Sequence, residues 1–306
     1  MPLNLGYAGL GKETTAGTGV APTIFFLLQE VPQVRAAASF AEVPALDALG
    51  TAIVVPTQRY AEADLSVVVT PRAIGALLAA LLGAPATTGS APNYTHTFTP
   101  KTSYPSYTLE VQDGVAVHRA VGAQVTELTL RHSADGYLQA QARLVGMDRT
   151  TTGTPATPTY ESQVFTVGQV TVSVGGSPVT ARATNVEATI SVPKDPFQAL
   201  DKIPASAVYP QGTAEVTAQL ELLFDTALDA NRLADFLAAT TRAVSLAWAI
   251  DANTSLTLAF NAYLTEDPFV KANRDTGMAR TRLALKAIRT GSNLLTVTLK
   301  NSQASY

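Results

Sequence analysis

The sequence has 306 residues, of which 46% are hydrophobic and only 15% are charged, and its net charge is −3. This length predicts two domains or one large one, and so little charge predicts that other subunits cover part of the surface. The slightly negative balance and the lack of a basic run argue against tight DNA binding, and the absence of cysteine excludes disulfides and thiolate metal ligands.

The chain begins with a segment rich in glycine and threonine, at residues 3–22. Gly11-Lys12 is followed by Glu13, so the phosphate-binding pattern G-x-x-x-x-G-K-[ST] is absent. We interpret the segment as an extended arm that becomes ordered only against a partner. No secretory signal precedes it, and the longest apolar run, at residues 73–82, is too short for a membrane helix. We therefore expect a soluble protein made in the cytoplasm.

One stretch of the sequence occurs twice. Pro44-Ala45-Leu46-Asp47, with Val55-Pro56 after it, returns as Gln198-Ala199-Leu200-Asp201, with Tyr209-Pro210 after it at the same spacing. The residues that follow return at nearly the same offset, and these are Ala63, Leu65, Val67, Val69, Leu128, Leu130 and Arg131 against Ala218, Leu220, Leu222, Phe224, Leu283, Leu285 and Lys286. A constant offset over about ninety residues indicates a duplicated domain.

Each copy begins with a predicted strand, at residues 34–40 and 186–192, that leads into the duplicated segment. The prolines of that segment indicate a long excursion rather than a strand. A strand with alternating polar and apolar residues comes next, and then a helix. In the first copy Thr70 caps the helix, Pro71 is its first residue and Gly83 ends it. The second helix has an apolar stripe formed by Leu233, Phe236 and Leu237.

Further strands are predicted at residues 107–111, 244–250 and 255–263. Each copy then closes with a hairpin, formed by residues 126–131 and 138–144 in the first copy and by 281–286 and 295–299 in the second. Residues 164–176 predict another hairpin, which has no strong counterpart in the first copy. The predicted division is an N-terminal arm at 1–27, a first repeat at 28–148, a linker at 149–160 and a second repeat at 161–306.

The sequence offers no constellation for catalysis or metal binding. His96, His118 and His132 lack metal-ligand spacing, and we interpret them as surface or turn residues. No G-x-S-x-G motif is present. We interpret the carboxylate pairs Glu62 with Asp64 and Glu110 with Asp113 as solvated, Asp225 and Asp229 as favourable charges at a helix N-terminus, and Trp248 as a core residue.

The segment Gly11-Lys12-Glu13-Thr14-Thr15-Ala16-Gly17-Thr18-Gly19-Val20-Ala21-Pro22-Thr23 resembles the start of a family of tail tube proteins from long-tailed, non-contractile bacteriophages. The order of the remaining elements, including residues 122–146 and 212–224, extends the resemblance over essentially the whole chain. It implies a mainly β fold with two tandem β-sandwich domains, each flanked by one α-helix, whose hairpins close into a β-barrel on oligomerisation. It also implies trimeric rings with pseudo-sixfold symmetry.

This resemblance implies a structural, non-enzymatic subunit whose stacked rings form the conduit for DNA during ejection, with no cofactor and no metal. The implied partners are other copies of the chain, a tape measure protein in the lumen, tail terminator and distal tail proteins at the ends, and DNA in transit. The implied location is the virion, after synthesis in the host cytoplasm. The alternatives are another tail ring component, such as a distal tail or terminator protein, and, less favoured, a carbohydrate-binding β-sandwich module.

Two sets of residues follow as candidate sites. The inter-ring set comprises Leu10, Lys12, Glu13, Leu46, Asp47, Leu49, Leu200, Asp201 and Ile203. The lumen-facing set comprises Glu127, Thr129, Arg131, Gln139, Gln141, Arg143, Arg282, Lys286, Thr296, Thr298 and Lys300. Arg282, Lys286 and Lys300 are unexpected in a lumen that should not hold DNA. Either carboxylates from neighbouring strands compensate them, or the face meets another subunit.

Overall fold

The computed structural model describes residues 6–44, 51–152, 154–225, 229, 231–268, 270–272, 279–291 and 293–306. The fold is mainly β, as predicted, with large antiparallel sheets. The elements of the first half are β1 Tyr7–Lys12, β2 Ile24–Phe25, β3 Leu27–Leu28, β4 Val34–Pro44, β5 Thr51–Val68, α1 Ala73–Leu82, β6 Ala86–Ser90, β7 Asn93–Phe98, β8 Tyr107–Gln112, β9 Val117–Ser133, β10 Gln139–Gly146 and β11 Asp148–Thr152.

The second half contains a short 3-10 helix at Thr180–Arg182 and one described α-helix. Its elements are β12 Val170–Val174, β13 Ser177–Pro178, β14 Ala183–Ser191, β15 Lys194–Phe197, β16 Ala207–Pro210, β17 Glu215–Leu223, α2 Arg232–Leu237, β18 Arg242–Ala249, β19 Ser255–Leu264, β20 Val270–Ala272, β21 Ala279–Ile288 and β22 Thr296–Asn301.

One antiparallel sheet, which we name the shared sheet, runs through both halves in the strand order β4, β5, β10, β9, β14, β17, β21, β20. A second sheet packs on it in each half. In the first half its order is β2, β1, β8, β9 and β11, and in the second half it is β13, β12, β18, β19, β22, β7 and β6. Buried residues from both halves form one continuous hydrophobic core.

The strand pairing repeats between the halves. β4 pairs with β5 as β14 pairs with β17, β1 pairs with β8 as β12 pairs with β18, and β8 pairs with β9 as β18 pairs with β19. Likewise β10 and β11 both pair with the long strand β9. Their equivalents in the second half are β21, which pairs with β20 and β19, and β22, which pairs with β19. The two halves therefore have the same topology, and the hairpin at residues 170–178 does have a first-half counterpart in β1 and β2.

The predicted second hairpin is wrong. β21 pairs with β17, β19 and β20, whereas β22 pairs with β19 and β7, so residues 281–286 and 295–299 are successive parts of one strand path. The cause is an insertion. The first half has an extra hairpin, β6 with β7, between α1 and β8, while α2 leads almost directly into β18. This insertion ends the constant offset beyond the helix, and β7 crosses to pair with β22 in the second half.

Helix α1 lies in the core, and all of its residues are buried. The helix begins at Ala73, and Thr70 caps its first turn as predicted, because the Thr70 carbonyl accepts the Ile74 N–H at 3.2 Å and Thr70 Oγ1 accepts the Ala73 N–H at 3.4 Å. The predicted end at Gly83 is confirmed, with a φ of 101° that favours glycine.

The N-terminal segment is not an extended arm over Tyr7–Lys12. These residues form β1, which pairs with β8 along its whole length, and the side chains of Ala8 and Leu10 are buried. The glycines between these apolar residues hid the strand, because glycine weakens the alternating pattern that identifies one. They are required by close approach, since a Cβ at Gly9 would lie 2.9 Å from the carbonyl oxygen of Ile24. The predicted linker likewise begins with a strand, β11, paired with β9.

Candidate assembly surfaces

One face of the shared sheet packs on the core and the other is polar. Across the polar face Asp64, Arg143, Glu127 and Ser191 are successive cross-strand neighbours on β5, β10, β9 and β14. Two residues along, Ser66, Gln141, Thr129, Thr189, Thr217 and Lys286 form the next row over six strands. Polar and apolar side chains alternate along each of these strands, and the strands pair in a register that places the polar side chains of all of them on the same face.

Opposite charges compensate each other on this polar face. Arg143 pairs with Asp64 at 3.4 Å and Arg131 pairs with Glu187 at 3.1 Å. Lys286 pairs with Glu215 at 2.6 Å, and this hydrogen bond and charge raise the pKa of Lys286. Arg282 donates to the side chain of Gln219. Of the positive charges that were unexpected in a lumen, Lys286 therefore meets a carboxylate on a neighbouring strand and Arg282 meets an amide oxygen.

The structure separates the predicted lumen-facing residues into two groups. Glu127, Thr129, Arg131, Gln139, Gln141, Arg143, Arg282 and Lys286 lie on the polar face of the shared sheet. Thr296, Thr298 and Lys300 lie on β22, in the sheet on the opposite side of the core. Because the two sheets turn their polar faces away from each other, a single lumen can be lined by one group only.

Two hairpins extend beyond the core, and we name them the first arm, whose described residues are 39–44 and 51–58, and the second arm, residues 194–210. Their pairing is equivalent, since Phe40 faces Pro56 in the first arm and Lys194 faces Pro210 in the second. The second copy of the duplicated segment therefore lies at the tip of a β-hairpin and not in an excursion between strands, while the first copy lies outside the described residues after Pro44. Prolines are tolerated there because the first arm has register shifts at Ser39/Phe40 and at Val43/Pro44.

Large apolar side chains are exposed on both arms. In the first arm they are Phe40, Val43, Ile53, Val54 and Val55, and in the second arm Phe197, Leu200, Ile203 and Tyr209. The second arm contacts β5 at the base of the first arm, because the Arg59 N–H donates to the Ile203 carbonyl at 3.1 Å and the Ala205 N–H donates to the Arg59 carbonyl at 3.0 Å. One chain thus presents two neighbouring apolar projections, a pattern typical of a protein contact surface.

The predicted inter-ring residues fall in three places. Leu200, Asp201 and Ile203 are exposed on the second arm. Leu46, Asp47 and Leu49 lie outside the described residues. Leu10 is buried in β1, and Glu13 is buried where its carboxylate accepts hydrogen bonds from Thr108 at 2.7 Å and from the Gly17 and Gly122 N–H groups at 2.8 Å. Lys12 is exposed and donates to the Tyr306 carbonyl.

The two halves meet along β9 and β14, in a ladder from Glu127↔Ser191 to Ser133↔Asn185. Thr129 and Thr189 share a side-chain hydrogen bond of 2.9 Å across it. Nearby, the Trp248 indole donates to His132 Nδ1 at 3.0 Å, and burial lowers the pKa of His132. Polar contacts therefore fix the register of this internal junction.

A buried lysine completes the internal junction. Lys194, at the base of the second arm, is 4% exposed and donates through Nζ to the carbonyls of Ala80 at 2.6 Å and Leu81 at 3.1 Å, at the C-terminal end of α1. Its Nζ lies 3.8 Å from the centroid of the Tyr104 ring. Burial lowers the pKa of Lys194 to about 6. Sequence reasoning missed this residue, since a lysine in a proline-bearing segment is typical of an exposed loop.

Several residues considered for chemistry have structural surroundings. His96 and His132 are buried, contrary to the surface interpretation, and Trp248 lies in the core as predicted. Glu110 is buried rather than solvated, because Tyr7 donates to it at 2.5 Å and Arg119 at 2.7 Å. Among the described residues no group of three or more His, Asp or Glu side chains is placed to hold a metal ion.

A family model described as phage tail tube protein matches residues 4–284, which include both arms, both described α-helices and all of the shared sheet except the last residues of β21. The chain belongs to the phage tail tube protein family. It is therefore a structural component of a phage tail. A search of curated proteins finds no match for this chain. No helix in the described ranges combines the length and the apolar character needed to cross a membrane.

Proposed function

We propose that this tail tube family member assembles side by side into rings, that the rings stack into a tube, and that DNA passes through the lumen during ejection. The observation that carries the proposal is the shared sheet, which runs through both halves and has one polar, charge-compensated face. Two equivalent halves per chain favour a ring of three chains with pseudo-sixfold symmetry. The partners expected at the ends and in the lumen of such a tube are other tail proteins.

The edges of the shared sheet support closure into a ring. Within the described ranges β4 pairs with β5 alone and β20 pairs with β21 alone. Inside the chain, the strand equivalent to β20 is the end of β9, and it pairs with β14, the equivalent of β4. The same pairing between β20 of one copy and β4 of the next would remove both edges and close the sheet into a barrel.

The polar face of the shared sheet supports the proposed lumen. Arg131 is paired with Glu187 and Lys286 with Glu215, so these basic groups already have carboxylate partners on the same face. Passage of DNA requires a surface without strong net attraction to phosphate. We assign the lumen to the residues of this face and exclude Thr296, Thr298 and Lys300 from it.

The two arms support stacking between rings. They project beyond the core and expose Leu200, Ile203 and several valines, which a second ring would cover. The N-terminal residues Leu10 and Glu13 lose their proposed stacking role, because their side chains are buried within the chain.

The experiment is negative-stain electron microscopy of the purified protein. We expect hollow tubes at high protein concentration, and dispersed monomers under the same conditions would contradict the proposal. A Leu200→Asp variant places a charge in the proposed stacking surface and should give single rings or short tubes. The control is Val115→Asp, which changes an equally exposed apolar residue in the turn between β8 and β9 and should leave the tubes long.

A further inference from the structure

Phe40, the residue equivalent to Lys194, is exposed. The equivalence follows from the pairing of the arms, because Phe40 faces Pro56 and Lys194 faces Pro210, the prolines of the two Val55-Pro56 and Tyr209-Pro210 repeats. The equivalence also holds three positions further along each arm, where Val43 faces Ile53 in the first arm and Phe197 faces Ala207 in the second. Yet Lys194 is 4% exposed and Phe40 is 62% exposed. Within one chain, the first arm therefore lacks the neighbour that the second arm has.

The neighbour of Lys194 is the C-terminal end of α1, at the carbonyls of Ala80 and Leu81. The second-half equivalent of that helix is α2, which follows β17 as α1 follows the equivalent strand β5. All residues of α1 are buried, whereas α2 exposes Leu233 at 51% and Leu237 at 75%. The helix equivalent to the one that Lys194 contacts thus has two uncovered leucines.

We propose that Phe40 of one copy packs against Leu233 and Leu237 of α2 in the adjacent copy of the same ring. The internal junction is the template. It joins α1 and β9 of the first half to Lys194 and β14 of the second, and side-by-side assembly would join α2 and β20 of one copy to Phe40 and β4 of the next. The inference rests on the proposed assembly and deepens it by naming the occupant of the exposed α2 surface, a second copy of this chain.

The difference between the two junctions follows from their side chains. Inside the chain an amine contacts helix carbonyls, and between copies an aromatic ring would contact leucines. Burial of a phenylalanine and two leucines removes apolar surface that is otherwise exposed to water in the free subunit. An apolar contact suits a junction that forms only on assembly, since its burial removes no polar or charged group from water.

The absence of cysteine from the sequence allows a direct test with a Phe40→Cys and Leu237→Cys double variant. Oxidation of its assembled tubes should give covalent oligomers on a non-reducing gel, and the series should stop at the number of chains in one ring, since a contact within a ring closes on itself. A series continuing to very large species would place Phe40 between rings and overturn the proposal. Pairing Phe40→Cys with Val115→Cys is the control and should give no oligomers.

A charge exchange provides the second measurement. Phe40→Lys alone and Leu237→Glu alone should each reduce the assembled fraction in sedimentation at least tenfold, and the combination should restore part of it. Double variants that form tubes but neither cross-link nor show rescue would overturn this inference and leave the proposed function intact. Failure of the unmodified chain to form tubes would instead remove the proposed function.

Discussion

Replacing Lys194 with methionine should change how the stability of the chain depends on pH. The folded protein holds the pKa of Lys194 at about 6 by burial, against 10.5 for an ordinary lysine. Between these values the unfolded chain binds the proton and the folded chain does not. The contribution of Lys194 to stability is therefore fully present above the pKa that this lysine has in the unfolded chain, and it is lost as the pH falls towards 6. The slope approaches about 1.4 kcal/mol per pH unit.

Urea unfolding of unassembled protein at pH 7, 8 and 9 measures this slope. From pH 7 to pH 9 the free energy of unfolding of the unmodified chain should rise by about 2–3 kcal/mol relative to Lys194→Met, which keeps the length of the side chain without the titrating group. Lys202→Met, at an exposed position of the second arm, should retain the slope of the unmodified chain. Parallel pH dependences for the unmodified chain and Lys194→Met would refute a desolvated Lys194.

Two further predictions concern the C-terminal end of the chain and the polar face. A Cβ at Gly75 would overlap the ring of the buried Tyr306, so Gly75→Ala should destabilise the chain by about 1–3 kcal/mol in urea unfolding, and adding Tyr306→Gly should abolish that difference. Equal stability of Gly75→Ala and the unmodified chain would contradict the packing. Arg282→Gln with Lys286→Gln should leave tube assembly intact in electron microscopy, since both side chains lie on the exposed face. Loss of tubes would place that face in a contact between subunits.

Much of the fold could be predicted because its determinants are local. Alternation in the strand that contains Leu65 and in the strand that contains Leu220 identified both and set which face packs on the core. The duplicated Pro56 and Pro210 revealed the two halves. These patterns depend on residues that are neighbours in the sequence, so they can be recognised without knowledge of the three-dimensional contacts.

The failures have a non-local cause. Which strand pairs with β22 depends on the hairpin inserted before β8, and no local pattern states that β7 would cross to the other half. The burial of Lys194 depends on the end of α1, more than a hundred positions earlier in the chain. A usable signal did exist for the candidate surfaces, since Phe40 and Lys194 occupy the same place in the two repeats with opposite chemical character.

A cryo-electron microscopy reconstruction of the assembled tube, at a resolution that separates β-strands, tests the central claim most directly. We predict that the strands lining the lumen are those of the shared sheet, with Thr129 and Thr189 facing the lumen and β20 of each chain beside β4 of the next. A lumen lined by β22, with Thr298 facing inward, or a preparation without any tube, would contradict the account.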